Sequence, residues 1–177
     1  MSPTTYNPFQ KSLHWAIFLL FIGLYGLTHL AHYFPKGDPA RGFVWGIHIS
    51  FGLVLLVLVF LRVVWRLIYG APGLPAGTPP VGALAAKLAH LALYVLMVVI
   101  PIVGVLIVWL KGNDLSFFGL FSIPSPVGID KKFGHTIEEV HEFFANFILV
   151  LVSVHALAAV WHHYIKKDDV LTRMMPG

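Results

Sequence analysis

Four apolar runs, at about Leu13–Phe34, Phe43–Tyr69, Leu84–Leu110 and Ile137–Ile165, occupy more than half of the 177 residues. Each reaches the roughly 20 residues that a helix needs to cross a bilayer. Hydrocarbon offers no partner to a bare peptide group, so runs of this length are driven into helices. The expected fold is all-α: an integral membrane four-helix bundle, with residues 1–177 as a single domain, because no internal repeat or soluble extension interrupts the pattern. Breakers mark the turns. Pro35, Gly37 and Pro39 make the first, Gly70 to Gly82 the second, and Lys111 to Gly134 the third. The first run is not read as a cleavable signal, since it is long, carries a histidine at its start and lacks a small-x-small site.

Composition excludes several classes of function. A chain that is 58% hydrophobic and 11% charged cannot hide its apolar surface in a water-soluble fold, and a net charge of +4 scattered over loops does not suit nucleic acid. The absence of cysteine removes disulfides, thiolate-held iron–sulfur and zinc sites, and covalent c-type haem attachment. Redox work would need noncovalent cofactors. Basic residues set the expected orientation: Lys11, Arg62, Arg66, Lys87, Lys166, Lys167 and Arg173 outnumber Lys36, Arg41, Lys111, Lys131 and Lys132, which places both termini in the cytoplasm.

The chemistry lies in the histidines. His141 and His155 are fourteen residues apart on the fourth run, nearly four turns, so both imidazoles leave one face about 21 Å apart in height. Span parity puts His14 and His155 near the cytoplasmic side and His48 and His141 near the outer side. The fourth helix thus serves both levels. A neutral imidazole is a metal ligand, and two drawn from different helices can hold one haem iron without a covalent link. Depth alone leaves other choices open: His90 can replace His14 or His155, and His29 or His32 can replace His48. His141-Glu142-Phe143-Phe144-Ala145 opens like the zinc-protease pattern but has Ala145 where the second histidine belongs. An ion transporter would place a carboxylate at mid-membrane depth, and every Asp and Glu lies in a loop, a tail or at a helix start.

Several motifs carry a resemblance: "SLHW" around His14, "GIHIS" around His48, "LAHLALY" followed by "PIVG" around His90 and Pro101, "HEFFAN" at His141, "HALAA" at His155 and the tail "HHYIKKDDVLTRMMPG". Over nearly its whole length the chain resembles the bacterial cytochrome b561 family of small di-haem inner-membrane proteins, and within it the superoxide oxidases. The resemblance implies two noncovalent haem b groups. It selects His14 with His155 for the inner one and His48 with His141 for the outer one, leaving His29, His32 and His90 free.

It also implies an activity, the one-electron oxidation of superoxide at the outer haem, transfer to the inner haem and reduction of ubiquinone. The alternative is an electron-transfer subunit that relays electrons between quinone and a redox partner protein. Expected quinone contacts are His90, His162 and Lys87 at the cytoplasmic level. Arg41, Lys111, Lys131 and Lys132, placed in loops near the outer histidines, are the expected residues to steer superoxide. Trp15, Trp45, Trp109 and Trp161 read as anchors in the membrane interface, with Trp45 also packing on the outer haem.

Overall fold

A computed structural model describes residues 5–176 and contains four long helices: α1 (Pro8–Tyr33), α2 (Pro39–Tyr69), α3 (Pro80–Leu110) and α4 (Lys131–Trp161). All four are long and apolar enough to cross a membrane. The end of the bundle where α2 finishes and α3 begins is called the terminal end here, because the described residues begin and end there. The opposite end is the hairpin end. Apolar side chains such as Leu19, Phe60, Leu67, Leu91, Phe143 and Leu157 point outward, as suits lipid.

Each helix starts four to six residues before the apolar run that announced it, and the cause is capping. Asn7 accepts from the Gln10 amide while the Gln10 side chain returns to the Asn7 N–H, a capping box. Asp38 accepts from the Ala40 amide and Asp130 from the Phe133 amide at 2.9 Å. Proline at the start of α1, α2 and α3 suits a position that has no intrahelical bond to donate. Arg41, Lys131 and Lys132, expected in loops, therefore stand on the first turns of α2 and α4. The fourth helix widens its last expected turn into a π-turn over His162–Lys166, closed by Lys167 in the left-handed conformation at φ 55.

One element was not expected at all. Between α3 and α4, β1 (Leu115–Phe117) and β2 (Phe121–Ile123) form an antiparallel hairpin, with Phe117 opposite Phe121. Its turn puts Phe118 at φ 50 and Gly119 at φ 72, and a left-handed non-glycine residue costs about 1–2 kcal/mol. Ser50 on α2 offsets that cost. Its hydroxyl accepts from the Phe118 amide at 2.8 Å and donates to the Gly46 carbonyl at 2.9 Å, while Phe51 meets the Phe118 ring at 5.1 Å. This explains a serine only 1% exposed inside a membrane helix.

Backbone packing runs in series, α1 on α2, α2 on α3 and α3 on α4, and no Cα of α4 comes within 8 Å of one in α1 or α2. The fourth helix therefore stands off from the first two. Side chains cross that gap, including the Tyr25 hydroxyl to Asn146 Oδ1 at 3.2 Å. Beneath the terminal end the tail folds back: Trp15 Nε1 donates to the Met174 carbonyl at 2.9 Å, and Arg173 reaches the Gly73 carbonyl at 2.6 Å and Asp169 at 2.7 Å. Trp15 thus ties down the tail rather than standing free as an interface anchor.

Replacing Ser50 with Ala should destabilise the hairpin by about 1–2 kcal/mol. Hydrogen exchange should then rise in residues 115–123 and stay unchanged in the helix centres.

Candidate functional site

Five of the imidazoles within the spans fall into two groups by depth. At the hairpin end, His48 on α2 and His141 on α4 line one cavity of about 680 Å³, within the size range of cofactor sites. His48 Nδ1 donates to the Leu24 carbonyl at 3.2 Å. That bond selects the tautomer and leaves Nε2 bare, the arrangement that metal-binding histidines use. His141 Nδ1 is buried and has no hydrogen-bond partner among the described residues. Gly104 makes room for this ring, since a Cβ there would stand 3.3 Å from His141 Cε1. Trp45 meets His48 edge-on at 5.5 Å and His32 at 5.7 Å.

At the terminal end, His155 of α4 sits between two rings. Its centroid is 6.2 Å from that of His14 and 5.5 Å from that of His90. One metal ion bonded to two imidazole nitrogens at roughly 2 Å each needs its rings about that far apart. The structure thus brings His14 and His155 together and adds His90 to them. Both groups fit a flat, metal-centred cofactor: the donors are neutral nitrogens, one of them orphaned, and α4 is held away from the helices that carry the opposing rings. His48 with His141, and His14 with His155, are the residues that would hold such groups. Among the described residues no cluster of three or more histidine and carboxylate side chains could hold a bare metal ion.

The residues expected to steer an anion fare unequally. Lys131 and Lys132 are exposed on the first turn of α4. Lys111 is not free, because its ammonium meets Glu138 Oε1 at 2.6 Å. Arg41 donates to the Phe34 carbonyl at 2.9 Å and so closes the end of α1. The cavity wall also carries Asp114, Glu138 and Glu142 beside His29 and His32.

Of the expected quinone contacts, Lys87 is exposed on α3 and His90 joins the imidazole cluster. His162 Nδ1 pairs with Asp168 Oδ2 at 2.5 Å. Among the described residues, no hydrogen bond, ion pair or ring contact joins His90 to Lys87 or His162. Partial burial opposes ionisation of Asp168, yet the His162 bond, the Val170 amide and the nearby Arg173 together hold its carboxyl below the usual range. Asp168 was not singled out in the sequence, and neither was Tyr25 or Asn146, which bridge the gap beside the cavity. Their one signal was polarity, in or next to an apolar run.

Comparison with known proteins settles the ancestry. The profile describing prokaryotic cytochrome b561 matches residues 5–177. The chain belongs to the prokaryotic cytochrome b561 family. Cytochrome b561 homolog 1 of Escherichia coli K12 is 34% identical over 174 residues, 96% of this chain and 98% of that protein. Probable superoxide oxidase CybB of Yersinia pestis is 31% identical over 171 residues, covering 97% and 96%. Cytochrome b562 of Cereibacter sphaeroides is 33% identical over 175 residues, covering 96% and 94%. A cytochrome b561 is a membrane electron-transfer protein that carries b-type haem, and the four spans place this one among multi-pass membrane proteins.

Two outcomes follow from the geometry. His48→Ala or His141→Ala should lose the hairpin-end haem and keep the other, halving the pyridine haemochromogen count, since the two groups share no ligand. His14→Ala should lose the terminal-end haem whereas His90→Ala should keep it; the reverse result would make His90 the partner of His155. Separately, Asp168 has a depressed pKa, so its hold on the tail is complete above its ordinary value of 3.8 and is lost as pH falls through its lower folded value. Proteolysis of the tail should therefore rise only in that acid range, and Asp168→Asn should raise it at neutral pH.

Proposed function

We propose that this cytochrome b561 is a di-haem superoxide:ubiquinone oxidoreductase of the bacterial inner membrane, with both termini cytoplasmic. It would take electrons from superoxide at the hairpin end and deliver them to ubiquinone at the terminal end. The observation that carries this reading is the pair of imidazole groups at opposite depths, both completed by α4 and one of them lining a cavity at the hairpin end. The relative named probable superoxide oxidase supports the choice of donor. Haem, when bound at the two pairs, supplies the one-electron relay that connects a radical donor to a two-electron acceptor.

The chain's own residues do the rest. Lys131 and Lys132 present positive charge beside the hairpin end and raise the encounter rate of a small anion. Trp45 and the Ser50-anchored hairpin wall the cavity, so that the donor approaches His48 and His141 from one side. At the other end, reduction of ubiquinone to ubiquinol takes two electrons, hence two superoxide ions released as dioxygen, and two protons. His162, with Nδ1 held by Asp168, leaves Nε2 for a quinone oxygen. His90 and the exposed Lys87 are the other candidates for that contact.

The purified protein alone should be reduced by enzymatically generated superoxide and reoxidised by ubiquinone. Reduction that requires a dehydrogenase or c-type cytochrome would instead make it a relay subunit. Lys131→Glu with Lys132→Glu should slow the superoxide step several-fold at low salt. That difference should shrink toward 0.15 M ionic strength, where the Debye length is about 8 Å.

A further inference from the structure

Arg62 and Arg66 stand one turn apart in the spanning part of α2, and among the described residues no carboxylate pairs with either of them. Of the eight acids, Asp38, Asp114, Asp130, Glu138, Glu139 and Glu142 belong to the hairpin half, while Asp168 and Asp169 are engaged by His162 and Arg173. Arg62 is 9% exposed, and its five-donor guanidinium makes one hydrogen bond, from Nη1 to the Gln10 carbonyl at 2.9 Å. Arg66 lies over the Tyr94 ring at 5.9 Å and reaches the Tyr6 hydroxyl at 3.4 Å. These side chains line one narrow cleft, closed as it stands, whose side chains must part to admit an anion. Like charges at this helical spacing repel, and a buried charge without a counter-ion is among the costliest groups a membrane helix can hold. Neutral oxygens and an aromatic face offset only part of that cost.

We infer that Arg62 and Arg66, with Gln10, Tyr6 and Tyr94, form an intramembrane binding site for an oxyanion, a carboxylate or a phosphate, that the described residues do not supply. The planar fork of arginine suits both anions, which it binds through two parallel hydrogen bonds. Arg62 also lies within Coulombic range of His14, His90 and His155, which puts the cleft on the same side of the bundle as the terminal-end imidazoles. Two sources have this chemistry: the carboxylate arms of a haem held by those imidazoles, and the phosphate of an anionic lipid headgroup. The first source rests on the two-haem reading, and the site itself does not.

The experiment compares wild type with Arg62→Met, Arg66→Met and Arg62→Lys. In the haem arm, protein stripped of cofactor is reloaded with haem b or with haem b dimethyl ester. If haem carboxylates fill the site, the ester should bind the terminal-end pair about 10- to 100-fold more weakly in wild type. The methionine variants should lose this discrimination, Arg62→Lys should keep part of it, and the hairpin-end haem should be unaffected throughout. In the lipid arm, native mass spectrometry counts phosphatidylglycerol retained from bilayer nanodiscs. One molecule held by wild type and lost in the methionine variants, with the ester discrimination absent throughout, would name the lipid as the source. Folded variants that match wild type in both arms overturn the site. A wild type that loads no terminal-end haem defeats the two-haem reading and leaves the lipid arm to judge the anion site. Arg66→Met, altering the less buried side chain, carries the test if Arg62→Met does not fold.

Discussion

Hydrocarbon satisfies no hydrogen bond, so each polar side chain inside these helices has to find its partner within the protein or in something the protein binds. Ser50 finds the strained amide of Phe118, Gln10 finds the Gly70 carbonyl and the backbone of its own cap, and Tyr25 finds Asn146. Those cases are closed. His141 is not, because one buried ring nitrogen has no partner among the described residues, and His48 has settled only the nitrogen that points to Leu24. Trp65 Nε1 and Trp109 Nε1 are open as well, so the open cases include the histidines proposed to hold haem and are not confined to them.

The standing-off of α4 is the second determinant. In a bundle packed evenly on all sides, helices carrying His14, His48, His141 and His155 would bring small residues and rings into direct contact and leave no slot. Here α3 is the only one of the first three helices to pack on α4 by backbone, and Gly104 is where that contact is close enough for a methyl group to press on His141. The gap facing α1 and α2 is spanned by long side chains alone. Small residues in the spans, which ordinary membrane packing would explain equally well, thus act differently by position: Gly104 permits an approach, while Gly46 and Gly52 have open space beside them on the cavity wall.

The four helices, their order and the two depths of histidine were legible in the sequence because hydropathy and a fourteen-residue interval are strong signals. Helix starts were less legible only because apolarity was followed instead of capping: Asn7-Pro8, Asp38-Pro39 and Asp130 all precede their helices in plain view. The hairpin was hidden for a physical reason. Its strands are three residues long, too short for their apolar-serine-apolar alternation to stand out, and what holds them is a serine 66 residues away. Pairing between distant charges is equally invisible along the chain. Lys111 reads as a free loop cation until Glu138 is seen beside it, and Arg62 and Arg66 read as ordinary markers of orientation until the whereabouts of every acid is known. The closeness of His90 to His155 was an open alternative by depth, and the structure keeps it in play.

Because α4 contributes to both imidazole groups, neither is complete in a chain that has produced only its first three helices. During synthesis those helices enter the bilayer and associate in order, and α4 arrives after 130 residues have already been made. With haem at both groups as proposed, loading of either is confined to a late step of biogenesis, when docking of α4 finishes two sites at once. Without haem, α4 would keep its backbone packing on α3, and only side chains such as Tyr25 and Asn146 would bridge its gap to the first two helices.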